Sequence, residues 1–369
     1  MCGTEKNTIV FLFFIVFLLQ LTTGQQSGLE ASIERRGSHL NPKLQSRRLA
    51  PLLADTPIDA DSPCAPYNPP VPDFRAPGRR ISDVKCYEHI WQVKLREDKA
   101  ERANRCHAGL NRPQVISGHR TRRGEFPNMG AIGWKATVGS WKFLCGSTLI
   151  SSKFVLTAAH CSRASERDTT IADVVPKIVR LGDRNIRDQI IHVASSGTTV
   201  HDASISEIIV HPNYKSPKQY FDIALMRLSQ ELKFSIDIHP ACLWTNQNTS
   251  MLSPQAEVTG WGVTEPGSQQ TSPELLTAVV DVIDSKTCGD LLRKACNRNW
   301  CGLQEHQMCA GNVSGGVDAC QGDSGGPLQV KIPLPASSHG SMTYVIGVTS
   351  FGRGCAQPHS PGVYTGLRT

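Results

Sequence analysis

Ser324 lies in Gly322-Asp323-Ser324-Gly325-Gly326-Pro327, with Asp318-Ala319-Cys320-Gln321 just before it. Glycines on both sides let the backbone turn tightly enough for the Gly322 and Ser324 N–H groups to point at one developing oxyanion. Taken alone, such a Gly/Ser-rich stretch is a loop. Two further segments change that reading. Thr157-Ala158-Ala159-His160-Cys161 follows the apolar run Phe154 to Leu156 and sets a histidine beside a cysteine that can fix its loop. Phe221-Asp222-Ile223-Ala224-Leu225 opens an apolar strand with an aspartate, and a carboxylate buried there needs a partner. A lone histidine or aspartate is structural more often than catalytic. In the order His160, Asp222, Ser324 the three supply a general base, an orienting carboxylate and a nucleophile, the set that acyl transfer requires.

The elements that must position them are short and β-rich. From Val115 onward, runs such as Lys177 to Leu181, Ala224 to Leu228, Ala256 to Val263, Ala278 to Ile283 and Tyr344 to Thr349 alternate with Gly, Asn, Asp and Pro turns. Many short strands and few helical periods predict an all-β barrel or sandwich over residues 115–369. No internal repeat or low-complexity tract interrupts it.

Residues 25–114 read differently. Nine of the 23 prolines fall between Pro42 and Pro77, which favours extended, exposed chain. Ile90, Val93, Leu95 and the charged run Arg96 to Arg105 predict a short helix, so this is a largely irregular pro-segment with little core of its own. At the start, Lys6, the apolar run Ile9 to Leu19 and the small residues Thr22-Thr23-Gly24 make a signal peptide over residues 1–24. Its apolar run is shorter than the roughly 20 residues needed to cross a bilayer, so a secreted, extracellular protein with no membrane partner is expected. Thirteen cysteines become twelve when Cys2 leaves, an even number that suits disulfides in that compartment. The net charge of +7 is spread thinly, with 23 Lys/Arg against 20 Asp/Glu over residues 115–369, and no basic stripe points to nucleic acid.

On these motifs residues 115–369 resemble the trypsin-like serine endopeptidases, which implies two antiparallel β-barrels with the active site between them. The resemblance makes Ser324 the nucleophile, His160 the general base and acid, and Asp222 the residue that orients it, with Gly322 and Ser324 N–H as the oxyanion hole. No cofactor and no metal is implied. Six residues before the nucleophile, Asp318 takes the base of the primary pocket and implies cleavage after Arg, and less readily after Lys because Ala319 lacks a hydroxyl. Ser350, Gly352 and Gly362 line the substrate site, and Phe351 stands where the family usually has Trp. The family continues through a C-terminal helix where this chain stops at Leu367-Arg368-Thr369, so that helix is expected to be absent.

Gln114-Val115-Ile116-Ser117-Gly118 resembles the family's activation junction. Cleavage before Val115 is then expected to free an α-ammonium that pairs with Asp323. Two departures stand out, Gln114 where a basic residue is usual and Ser117 where a glycine is. The resemblance also implies three bridges, Cys145 with Cys161, Cys288 with Cys309 and Cys320 with Cys355, and a tether from Cys242 to the pro-segment, with Cys106 its nearest candidate partner. That leaves Cys296 with Cys301 and Cys64 with Cys86, zinc at Cys296, Cys301 and His306 being the sharper alternative. Asn248 and Asn312 open glycosylation motifs.

Gly124 to Met129 and the tether look most like the arthropod clip-domain, snake-type cascade proteases. Three cysteines in residues 25–114, where a clip domain has six, predict no intact clip domain. The expected partners are downstream zymogens as protein substrates, an upstream activating protease and serpin-type inhibitors. The competing reading is a catalytically silent homologue that binds or regulates.

Overall fold

The structure is a computed structural model, and it describes residues 64, 66–75, 77–106, 123–186, 200–245, 253–263, 271–315, 322–333, 341–353 and 357–367. Its main body is two β-barrels. The first closes in the order β1 (Met129–Lys135), β2 (Trp141–Leu149), β3 (Phe154–Thr157), β6 (Ala224–Leu228), β5 (His201–Val210), β4 (Ile178–Leu181) and back to β1. Every pairing in it is antiparallel. β6 shows the alternation expected of a strand with one face in a core, with Ala224, Met226 and Leu228 buried and Leu225 and Arg227 less so. Together with Ile132, Leu149, Val155 and Leu181 they fill the barrel interior.

The second barrel runs β11 (Pro327–Pro333), β8 (Gln255–Gly260), β9 (Leu276–Ile283), β10 (Gln307–Gly311), β13 (Gly362–Gly366) and β12 (Ser341–Phe351), and closes by pairing β11 with β12. The two-residue β7 (Cys242–Leu243) adds to β12 in parallel. Val258, Val280, Leu328, Ile346 and Tyr364 form its core. A short helix, α2 (Ser285–Leu291), begins at Asp284, whose carboxylate accepts the Lys286 and Thr287 N–H groups. Of the two architectures the strand pattern allowed, barrel or sandwich, the chain takes the barrel twice.

The segment before the barrels carries more order than its composition suggests. Helix α1 (Ile81–Cys106) is 26 residues long and starts nine residues before Ile90. Phe74, Cys86, Ile90 and Trp91 join the core of the second barrel, so the segment borrows a core instead of building one. The reason the sequence understated this helix is that its buried face includes His89, Lys94 and Arg102, which read as solvated positions.

The expected tether from Cys106 to Cys242 is corrected: Cys86 pairs with Cys242, and Cys106 closes back on Cys64, so the Cys64–Cys86 pairing falls as well. Cys86 lies on the face that Ile90 and Trp91 press into the barrel. Cys106, at the far end of α1 and 20 residues on, is about 30 Å away along a helix of 1.5 Å rise per residue. Nearness in sequence to the catalytic region was the wrong criterion. Further disulfides join Cys145 to Cys161, Cys288 to Cys309 and Cys296 to Cys301. The last removes the thiolates that a zinc site with His306 would need. Among the described residues no helix is long and apolar enough to cross a membrane.

Candidate active site

His160 sits in a single turn, Ala159–Ser162, directly after β3, and the Cys145–Cys161 bridge ties that turn to β2. Asp222 lies just before β6, the neighbour of β3, and is 3% exposed. Its Oδ1 accepts the His160 N–H at 2.9 Å and its Oδ2 faces His160 Nδ1 at 2.8 Å. Ser350 Oγ donates to the same Oδ2 at 2.5 Å, and Thr365 Oγ1 donates to the Asp222 carbonyl at 3.0 Å. The second barrel thus supplies two donors to a residue of the first. Burial pushes the Asp222 carboxyl up, but the bonds from His160 and Ser350 and the imidazole charge outweigh it, and the net is a carboxyl below its ordinary range. An ionised carboxylate can only accept, so Nδ1 is the His160 nitrogen that donates to Asp222 Oδ2.

Ser324 comes from the turn before β11. Gly325 has φ 78°, and a Cβ there would stand 2.2 Å from Thr157 Oγ1 and 2.7 Å from the Gly146 carbonyl. Only glycine fits. Ser324 C=O accepts the Gly146 N–H at 2.8 Å, and Gly325 N–H donates to Thr349 C=O at 2.8 Å, so the turn is clamped between both barrels. The Gly322 and Ser324 N–H groups donate to no described group. Ser324 Oγ and His160 make no hydrogen bond to each other in this state, a bond that commonly tightens only when substrate is bound.

Asp323 Oδ1 accepts the Gly262 N–H at 2.8 Å, and its carboxylate lies so close to Gly260 and Gly262 that a Cβ at either would come within 2.3 Å of it. The expected partner of Asp323, Val115, lies outside the described residues together with Gln114, Asp318, Asn248 and the Cys320–Cys355 pair. Gly352 is exposed, with no described atom within 4 Å of a Cβ placed there, and Gly362 is buried at the start of β13. Ser350 was expected along the substrate strand; its hydroxyl is spent on Asp222, and a register shift leaves its backbone out of the ladder between β12 and β13. Asn312 is exposed. Cys145, His160 and Cys161 form the one group of three spaced for a metal among the described residues, but the two cysteines are bonded to each other. Sequence reasoning missed Ser350 and Thr365 as partners of Asp222, because nothing local marks a hydroxyl 128 or 143 residues away.

Two barrels, with a His–Asp pair from the first and a clamped serine turn before β11 whose Ser324 carbonyl lies 3.7 Å from Cys161 Sγ, define a class, and the comparisons agree with it. The sequence model of the trypsin family matches residues 115–369. The chain belongs to that family. It is 37% identical over 306 residues to "Serine protease snk" of Drosophila melanogaster, covering 81% of this chain and 65% of that protein. With "Serine protease Hayan" of the same fly it shares 35% over 254 residues, 68% of this chain and 37% of the other. With "CLIP domain-containing serine protease B4" of Anopheles gambiae it shares 36% over 265 residues, 69% of this chain and 67% of the other. The chain spans less than two thirds of the length of the two fly relatives.

Proposed function

We propose that the chain is the zymogen of a secreted serine endopeptidase that cleaves after Arg, and less readily after Lys, in an extracellular proteolytic cascade such as innate immunity. The observation that carries this reading is the pairing of Asp222 with His160 at 2.8 Å beside the turn of a serine whose own N–H and that of Gly322 donate to no described group. Ser324 Oγ attacks the scissile carbonyl and gives its proton to His160 Nε2. The carbonyl oxygen becomes an oxyanion held by the two N–H groups, and His160 then protonates the leaving amine. Water, deprotonated by the same imidazole, attacks the acyl-enzyme and releases the acid. Specificity for Arg rests on Asp318, six residues before Ser324, as the family resemblance has it. The snake-type and clip-domain relatives support placement in a cascade. An upstream protease that cuts before Val115 would be its activator, other zymogens its substrates, and serpin-type proteins its inhibitors. The Cys86–Cys242 bridge would keep the cut pro-segment attached.

The test is residues 25–369 with Asn111 to Gln114 replaced by an enteropeptidase site, cut on demand and checked by N-terminal sequencing. Peptides with Arg, Lys and Phe before the scissile bond are compared, with Ser324→Ala as control. Turnover of Arg above Lys, none of Phe and none in the control is the expected result. Correctly cut, folded protein that turns over no peptide and takes no fluorophosphonate label on Ser324 sinks the reading in favour of a silent homologue.

A further inference from the structure

Phe221, the residue before Asp222, has a left-handed backbone with φ 55°. A bulky side chain rarely takes that conformation, and where it persists the surroundings must impose it. Two histidines do so here. The Phe221 ring stacks on His306 at 4.1 Å between centroids and on His211 at 5.0 Å, with interplanar angles of 13° and 11°. His306 Nε2 also accepts the Phe221 N–H at 3.0 Å, and the Phe221 carbonyl accepts the Ile223 N–H at 2.8 Å. His211 is itself fixed, donating its N–H to the Ile223 carbonyl and accepting the Asn213 N–H on Nδ1. His306 is anchored through its carbonyl, which accepts the Gly366 N–H of β13, next to the Thr365 that donates to Asp222.

We infer that His306 is a positioning residue for the triad: its ring and Nε2 hold Phe221 in the turn that aims Asp222 at His160, with His211 as the second stack. This rests on the endopeptidase reading above, since aiming matters only if His160 acts as a base. Nε2 can accept the Phe221 N–H only while His306 is neutral. Burial holds both imidazoles below the ordinary histidine value, and the proximity of His306 lowers His211 further. The titratable groups beside the stack are Tyr214 and Tyr220 on the His211 segment, Asp222 beyond Phe221, and Glu305 on the chain next to His306. Tyr220 packs edge-on to His306, Tyr214 is pushed up to about 12 by burial and the Asp222 charge, and Glu305 is exposed. Protonating His306 turns an acceptor into a donor opposite another donor. The aim of Asp222 therefore loosens as pH falls.

The experiment uses the full chain before and after the engineered cut, as wild type, His306→Phe and His306→Gln. Phe keeps the stack and loses the acceptor; Gln keeps an acceptor at the reach of Nε2 and does not titrate. His306→Phe should lower kcat per labelled serine by about tenfold to a hundredfold, as a misplaced catalytic group does, with KM nearly unchanged. His306→Gln should recover most of the loss. The acid limb of kcat/KM should need two protons in wild type and one in His306→Gln. Independently of turnover, the NMR signal of the proton between His160 Nδ1 and Asp222 should survive in His306→Gln and shift or vanish in His306→Phe. An unchanged signal and unchanged kcat in His306→Phe overturn the inference, as do identical acid limbs in wild type and His306→Gln should the Phe variant not fold. A wild type without turnover whose signal still responds in this way keeps the clamp and sinks the endopeptidase reading alone.

Discussion

Both carboxylate oxygens and the carbonyl of Asp222 have partners, whereas in the seam between α1 and the barrels several buried polar atoms have none among the described residues. Oδ1, Oδ2 and the carbonyl of Asp222 take four donors from three residues, His160, Ser350 and Thr365. In the seam, His89 Nδ1, Trp91 Nε1, His239 Nε2 and Trp244 Nε1 are buried without a partner among the described residues. A buried polar group left unpaired costs about 1–3 kcal/mol. The seam can carry that cost because a disulfide and the packing of Ile90, Trp91, Trp244 and Tyr344 hold it. A site whose geometry must be single is built from satisfied polar groups. A seam that has only to stay together is built from apolar area and a covalent link.

Breaking the satisfied side has the largest expected effect. In Asp222→Asn the amide donates where the carboxylate accepted, so His160 moves its proton to Nε2 and can no longer receive one from Ser324. The expected fall in kcat of the activated enzyme is about 10⁴-fold, with the circular-dichroism spectrum unchanged. A fall of less than tenfold would mean that Asp222 does not set the tautomer.

Breaking the covalent link comes next. The double change Cys86→Ala with Cys242→Ala should lower stability by about 2–4 kcal/mol, read in urea unfolding. After the cut it should release the segment before the barrels in native gel filtration, where the wild type keeps it. Retention without the bridge would show that the apolar seam alone is sufficient.

The third effect needs no mutation. His89 of α1 packs edge-on to His239 and Phe234, with centroids 5.9 Å apart in both pairs. Burial, then the charges of His239 and Lys85, bring His89 down from 6.5 to about 3; burial and Arg96 bring His239 to about 4. The folded state therefore binds fewer protons than the unfolded chain. Stability is full above about 6.5 and is lost as pH falls towards the folded values. At pH 5 the loss is about 2 kcal/mol for each histidine titrating independently. Hydrogen exchange should show α1 amides losing protection between pH 6.5 and pH 4 before the barrel strands do, and His89→Leu should flatten that response. Equal protection of α1 at both pH values would show that the seam absorbs the protons without loosening.

How much of this the sequence carried depended on how local each feature is. The His160–Asp222 pair and the serine turn were legible because each residue sits in its own short motif, where glycines, a neighbouring cysteine or the start of a strand limit what the residue can do. The all-β class followed from strand-length runs. The register of α1 was not legible, because its buried face holds His89, Lys94 and Arg102 beside Ile90 and Trp91, and without the register the partner of Cys242 could not be chosen between Cys86 and Cys106. The clamp on Phe221 was also hidden, since a positive φ at a phenylalanine has no signature in the chain and His306 stands 85 residues from the N–H it accepts.

The smallest expected effect sharpens the comparison at its weak side. Lys85, half exposed, pairs with Glu88 at 2.6 Å on the surface of α1, and its charge also helps to keep His89 neutral. In Lys85→Gln the lost surface pair should cost less than about 0.5 kcal/mol at pH 7. The lost charge should let His89 take up its proton at a higher pH, so that the acid-driven loss of stability ends sooner and is smaller in total. Unfolding at pH 7 would then favour the wild type slightly, and unfolding at pH 4 would bring the two together or reverse them. Parallel curves across that range would mean that the field at His89 is set by burial and His239 alone, and that the seam is governed by packing and not by its surface charges.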